Sequence, residues 1–176
     1  MFAVNLNDFI AYTDWERKLW YSWFLQHGEQ VLKIGVGPHS DGRFQTVGDM
    51  VRHIFSAEKR YAERLSGQPL TDTAAIPTDN VEALFQFGAQ SRKEFRAMLN
   101  AVPAGDWDTP REFKILTSVV QATPRKIAVH VLVHEIRHWA QVATMLRFNG
   151  LKGDFHDFLF SPVLGSESAR EQNQSR

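Results

Sequence analysis

The long run from Pro124 to Asn149 constrains the fold of this chain more than any other segment. No glycine and no further proline interrupts it before Gly150, which leaves room for about seven helical turns. Within it, apolar residues and two histidines recur at steps of three or four residues, the spacing of one helix face. This face comprises Ile127, Val131, His134, His138, Val142 and Met145. A long helix with one inward face needs other helices to cover it, so the run predicts a helix bundle.

Three more segments show helical periodicity, at residues 7–27, 46–66 and 80–101. In the second, Thr46 followed three residues later by Asp49 resembles a helix N-cap with an acidic first turn, and Thr123 before Pro124 is the candidate cap of the last helix. In the first, the residues near one stripe are Trp15, Leu19, Trp23 and Gln26. With the last helix, these segments predict an all-α fold, a four-helix bundle of antiparallel helices.

The connection before the last helix is the longer one, and its pattern differs from that of the helices. Residues 106–123 include bulky or β-branched side chains and predict a loop with at most a short hairpin. We assign residues 1–164 to one bundle domain. Residues 165–176 are polar and poor in apolar side chains, so we expect a disordered C-terminal tail.

Composition narrows the classes of function. Lys plus Arg equals Asp plus Glu at 20 each, so no global field attracts nucleic acid or an anionic membrane surface. The absence of cysteine excludes disulfides, thiolate metal ligands and a cysteine nucleophile. No signal peptide or membrane-spanning run is visible, and we expect a soluble cytoplasmic protein.

The two histidines of the last helix are the strongest functional candidates. His134 and His138 lie one turn apart on the apolar stripe, where two imidazoles need either hydrogen-bond partners or a shared cation. His53, at the border of the second helix's apolar face, is the best third ligand, and three imidazoles would leave coordination positions open for substrate. Two alternatives remain: His130 pairs with His134 instead, or these histidines are ordinary core residues.

The same stretch also matches a zinc hydrolase motif, H-E-x-x-H, in which Glu135 would act as general base. The longer form of that motif needs Gly and His at positions held here by Gln141 and Thr144. Downstream of Gly150, the only glutamates lie in the predicted tail. We therefore rank the hydrolase below the other hypotheses, and expect Glu135, about 100° around the helix from His134, to point away from the metal. A solvated position for this side chain is the simplest alternative.

The pattern resembles the DinB/YfiT-like family of metalloenzymes over about residues 7–160. The most specific part is His134-Glu-Ile-Arg-His138-Trp-Ala-Gln141 with Arg147-Phe-Asn-Gly150, and the second helix contributes Met50-Val-Arg-His53-Ile with Glu58. Trp139-Ala140 departs from the Arg-Gly that is common in the family, and we expect this bulk to alter the outer wall of the helix or a dimer face. The resemblance implies a four-helix bundle, often dimeric, with a divalent metal held by His53, His134 and His138.

The resemblance also implies a function. Some members are transferases that use a low-molecular-weight thiol, so we expect a metal-dependent (thiol) transferase that acts on small electrophiles, with a homodimeric assembly. Imidazole ligands suit Zn, Ni or Fe alike. Gln141 is a candidate contact for a metal-bound water, or an ordinary surface residue. The alternative is a non-enzymatic stress protein that binds a metal or a small ligand.

Overall fold

The computed structural model describes residues 5–37, 43–115, 117–153 and 156–165. Its four long helices are α1 (Leu6–His27), α2 (Val47–Leu65), α3 (Val81–Ala101) and α4 (Pro124–Phe148). Between α3 and α4, the strands β1 (Arg111–Ile115) and β2 (Ser118–Ala122) form an antiparallel hairpin. The predicted four-helix, mostly all-α fold is confirmed. The hairpin agrees with the prediction of at most a short hairpin between α3 and α4.

Polar caps define where the helices begin. The side chains of Asn5 and Thr46 each accept a hydrogen bond from a backbone N–H in the first turn of α1 and α2. The side chains of Asp8 and Asp49 in turn accept a hydrogen bond from the backbone N–H of the capping residue, which completes two capping boxes. Thr123 caps α4 directly before Pro124. The predicted caps of α2 and α4 are therefore correct, and the predicted helix ends agree with the structure to within one residue.

In the described parts of the chain, the core of the bundle consists of two apolar clusters separated by a layer of charge. One cluster contains Trp20, Phe24, Phe55 and Trp139, and the other contains Ile10, Phe95 and Leu132. Between them lie four buried charged residues that pair with one another, one from each helix, and we call this set the charged layer: Arg17, Glu58, Arg92 and Glu135. Buried charges are stable only when they are paired. This layer therefore determines how the four helices are positioned relative to one another along the bundle axis.

The charged layer explains where the predicted stripe of α1 was wrong. The structure exposes Gln26 and leaves Trp15 half-buried, whereas Glu16 and Arg17 are buried. The buried face of α1 passes through Thr13, these two charged residues, Trp20 and Phe24. A prediction that follows apolar residues alone rotates the helix toward the wrong side, because it assigns charged residues to solvent.

The helices α2 and α3 approach closely at one glycine. A Cβ atom placed on Gly88 would lie 2.8 Å from the ring of Phe55, closer than real side chains come. The backbone oxygen of Gly88 also accepts a hydrogen bond of 3.0 Å from Arg17 Nη1. Glycine at this position therefore allows the close packing of the Phe55 ring, and its backbone oxygen joins α3 to α1.

The chain after α4 returns across α1. Trp23 Nε1 donates to the backbone oxygen of Lys152 at 3.0 Å, and the hydroxyl of Tyr12 donates to that of His156 at 2.9 Å. Phe158 packs edge-on against Tyr12. The predicted tail, apart from Gly165 at its start, lies outside the described residues. None of the described helices combines the length and the apolar character needed to cross a bilayer.

Candidate metal centre

Three imidazole rings converge between α2 and α4. His134 Nε2 lies 3.0 Å from His53 Nε2 and 3.1 Å from His138 Nε2. One ligand atom from each ring lies within 4.8 Å of the others. The ring planes are inclined to each other by 56° to 88°. Because the rings are tilted instead of stacked, their nitrogens can face a common point.

The spacing of these nitrogens is close to that of metal ligands, and their bonding capacity favours a shared cation over a hydrogen-bonded cluster. Nitrogens bound at 2.0–2.1 Å around a tetrahedral zinc ion are separated by about 3.3 Å. A neutral ring nitrogen donates one proton or accepts one, so His134 Nε2 cannot hydrogen-bond to both of its neighbours. A single cation would satisfy all three nitrogen lone pairs at once. Among the described residues, no fourth histidine and no carboxylate joins the cluster.

The environment keeps His134 in the form that can bind a metal. Burial, and then the charges of His138 and His53, lower the pKa of His134 to about 3. The ring is therefore neutral at physiological pH, with a lone pair available. His138 is buried, whereas His53 and His134 are partly exposed, so the cluster is accessible from one side. The ring of Phe44 packs against His53 and His138.

Gln141 contacts a histidine and not the centre of the cluster. Its Oε1 lies 2.5 Å from Nδ1 of His138, one turn earlier on α4. A carboxamide oxygen can only accept, so this contact places the proton of His138 on Nδ1 and leaves Nε2 unprotonated toward His134. Gln141 thus orients the His138 ring, a role that the sequence analysis did not assign to it.

The other histidines that the structure describes lie outside the cluster. The ring centroid of His130 is 5.7 Å from that of His134, and its ring packs against Tyr61. The alternative His130–His134 pair is therefore not the arrangement in the structure. His27 and His156 stack on Trp residues of α1, and His39 lies outside the described residues.

Glu135, although it lies between two of these histidines in sequence, points into the charged layer. Arg17 Nε and Nη2 donate to its two oxygens at 2.5 and 2.8 Å, and Arg92 Nη2 donates at 2.7 Å. Trp139 Nε1 adds a fourth bond, at 3.3 Å. Although burial favours the protonated acid, the charges of Arg17 and Arg92 hold the pKa of Glu135 below its usual value.

Glu135 and Trp139, which directly follow the two metal candidates on α4, are both buried. Glu135 points away from the metal candidates, as expected, but it is 1% exposed and the solvated alternative was wrong. A general base needs a free carboxylate near the metal, so the geometry gives no support to the hydrolase. Trp139 was expected to reshape an outer wall, yet it is fully buried and stacks on Trp20.

Glu16 is a second buried carboxyl group beside the charged layer, and the sequence analysis missed it. It is 4% exposed, and its Oε2 has no hydrogen-bond partner among the described residues. Burial, followed by the charge of Glu135, raises the pKa of Glu16 to about 8. The group is therefore largely protonated at neutral pH, and it gains a negative charge only in mildly alkaline solution.

The comparisons with known proteins agree with the fold and the histidine cluster. A sequence model of the DinB superfamily matches residues 14–142, which span most of the bundle and include His53, His134 and His138. The chain belongs to the DinB superfamily. A comparison with curated proteins gave no match. Superfamily membership, a helical fold and three histidines that could hold a metal ion are thus established together.

Proposed function

We propose that this DinB-superfamily protein binds one divalent transition metal through His53, His134 and His138. The observation that carries the proposal is the approach of two Nε2 atoms to His134 Nε2 at 3.0 and 3.1 Å. Zinc, nickel and iron all accept imidazole nitrogen, so the ligand set does not select among them. Gln141 and Phe44 support the site, the first by orienting a ligand and the second by covering one side of the rings.

The proposed activity is a metal-dependent transferase reaction between a low-molecular-weight thiol and a small electrophile. When bound, the metal would supply Lewis acidity, which lowers the pKa of a thiol and makes it a better nucleophile. The chain has no cysteine, so the thiol must come from a cosubstrate. Three protein ligands leave room for substrate, and a closed structural or storage site would need a fourth. This favours the enzyme over the non-enzymatic metal-binding alternative.

Metal content tests the binding proposal directly. Protein purified without an affinity tag of histidines and without chelators should contain about one equivalent of a transition metal by elemental analysis. Alanine at His53 or His134 should remove it. His130→Ala is the matched control, because His130 lies one turn from His134 on the same helix and should be dispensable. Retention of the metal after His53→Ala, or its loss after His130→Ala, would contradict the ligand assignment.

Turnover tests the activity separately. The metal-loaded protein is incubated with glutathione or free cysteine and with chlorodinitrobenzene, so that a carbon–sulfur bond forms while chloride leaves and the thiol proton passes to solvent. Absorbance of the product should rise faster with wild type than with the His134→Ala variant. A protein that holds metal but fails with a broad panel of thiols and electrophiles would support the non-enzymatic alternative.

A homodimer also belongs to the proposal, but three large aromatic residues of α1 do not support it. Trp20, Trp23 and Phe24 are buried within the bundle and cannot mark an interface. Apolar side chains on the outer face of α4 supply a different argument, since Val129 and Val133 are about half exposed one turn apart. Size-exclusion chromatography with light scattering distinguishes a dimer of 20.2 kDa chains from a monomer.

A further inference from the structure

A groove between α1 and α3 is separate from the histidine cluster. Its volume is about 490 Å³, within the range of cavities that hold small organic molecules. Lys18 and Tyr21 line it from α1, Gln86 and Ala89 from α3, and Phe55 from α2. None of the three clustered histidines is among its lining residues.

Three of the residues that line this groove are aromatic, and their rings lie next to one another. Phe85 lies 5.0 Å from Tyr21 and 5.4 Å from Phe55, measured between ring centroids. Tyr21 and Phe85 are each only partly buried, so ring surface remains accessible in the groove. The small residue Ala89 on the α3 side leaves the opening clear. Aromatic side chains of this kind favour a flat ring that can pack against them in an offset or edge-on geometry.

The charges around the groove favour an anion. The ammonium group of Lys18 is exposed, and no carboxylate in the described parts of the chain lies within ion-pair distance of it. Asp14, the acidic residue of the lining, is already paired with Arg92 at 3.2 Å and with Arg96 at 2.5 Å. The buried Arg17 and Arg92 are neutralised by the glutamates of the charged layer. The rim therefore carries one uncompensated positive charge beside an aromatic wall.

We propose that the α1–α3 groove binds a small aromatic carboxylate, with its ring against Tyr21 and Phe85 and its carboxylate beside Lys18. The aromatic walls supply most of the contact area, and the lysine selects an anion over a neutral analogue of the same shape. This site is independent of the proposed metal centre, and it stands whether or not a metal is bound there.

Naphthoate is a suitable probe, because it joins a flat apolar ring system to one carboxylate. Titration of the full-length protein, followed by amide chemical shifts and by calorimetry, should show saturable binding with a dissociation constant of about 1 mM or tighter. The shifted amides should lie on the facing sides of α1 and α3. Absence of saturation at several millimolar naphthoate would overturn the proposal.

Two substitutions test the position of the probe. Ala89→Leu puts a larger side chain into the groove at an exposed helical position that leucine suits, and it should weaken binding at least about tenfold. Thermal unfolding verifies that this variant is folded. His134→Ala should leave the affinity for naphthoate unchanged, because the groove does not include the metal centre. If the carboxylate of naphthoate bound to a metal there instead, removal of this metal ligand would abolish its binding. Undiminished binding after Ala89→Leu, or loss of binding after His134→Ala, would place the probe elsewhere.

The role of Lys18 is tested with a neutral analogue. Lys18→Gln should weaken naphthoate about threefold, the size expected of an exposed ion pair, and leave naphthamide unaffected. Lys126→Gln, an exposed lysine outside the groove lining, is the matched control and should change neither affinity. Equal affinities of wild type for naphthoate and naphthamide would refute selection of an anion.

Discussion

Replacement of Glu135 by glutamine tests the charged layer and distinguishes its role from that of a catalytic base. The substitution keeps the shape of the side chain but removes one of two buried carboxylates that neutralise Arg17 and Arg92. In glutamine an N–H₂ group replaces one acceptor oxygen of the carboxylate and faces the N–H donors of the arginines. At least one of the bonds at 2.5–2.8 Å is therefore lost.

The magnitude follows from the burial of the group. Removal of one partner from a buried ion pair costs about 3–5 kcal/mol, because the remaining charge stays uncompensated. With a urea m value of about 2 kcal/mol/M, the unfolding midpoint should fall by about 1.5–2.5 M. Glu94→Gln is the control. It breaks the ion pair with Lys59 near the surface, where the side chain of Glu94 is 32% exposed, and should cost less than about 1 kcal/mol.

Urea unfolding followed by tryptophan fluorescence measures both variants. Should Glu135→Gln prove too unstable to study alone, the double variant with Arg92→Gln restores the balance of charge. It should be less destabilised than the sum of the two single substitutions by about 1–3 kcal/mol. A single variant within about 1 kcal/mol of wild type, with an unchanged m value, would refute the structural role. The hydrolase hypothesis expects that outcome, together with loss of turnover.

Three further predictions concern other residues of the bundle. The pKa of Glu16 is raised from 4.5 to about 8 by folding, so the folded state holds its proton more tightly and stability should decrease as pH rises through that range. Urea unfolding from pH 5 to 9 measures this decrease, which should reach a few kcal/mol of unfolding free energy at pH 9. Glu16→Gln should abolish most of it. Gly88→Ala should destabilise the protein by about 1–3 kcal/mol, because its Cβ would lie 2.8 Å from an aromatic ring. The control Gly105→Ala places its Cβ in open space and should be nearly neutral, and thermal unfolding compares the two variants. Gln141→Ala should weaken metal binding about 10- to 100-fold in a competition assay with a chelating dye, because His138 loses the partner of its Nδ1, and unchanged affinity would contradict that role.

Much of the fold was determined by local sequence. Helix ends depend on a few neighbouring residues, so Thr46 with Asp49 and Thr123 with Pro124 could be identified as caps before any tertiary contact was known. The convergence of the histidines was also predictable in part. Spacing alone placed His134 and His138 on one side of α4, while the border position of His53 made it the best third candidate.

The sequence did not predict what lies between the histidines and the rest of the core. The helical period shows that Glu135 points in a different direction from His134, but not that two arginines, from α1 and α3, meet it there. Those partners are 118 and 43 residues away along the chain.

Whether a feature was predictable from the sequence depends on how far apart along the chain the interacting residues lie. Caps, helix lengths and the spacing of histidines on one helix are set by residues within a few positions of each other, so the sequence determined them. The charged layer, the buried place of Trp139 and the approach of His53 depend on how far each helix is shifted and rotated against its neighbours. Only packing of all four helices decides that register, because the pairing of buried charges and the filling of the apolar clusters must be satisfied together.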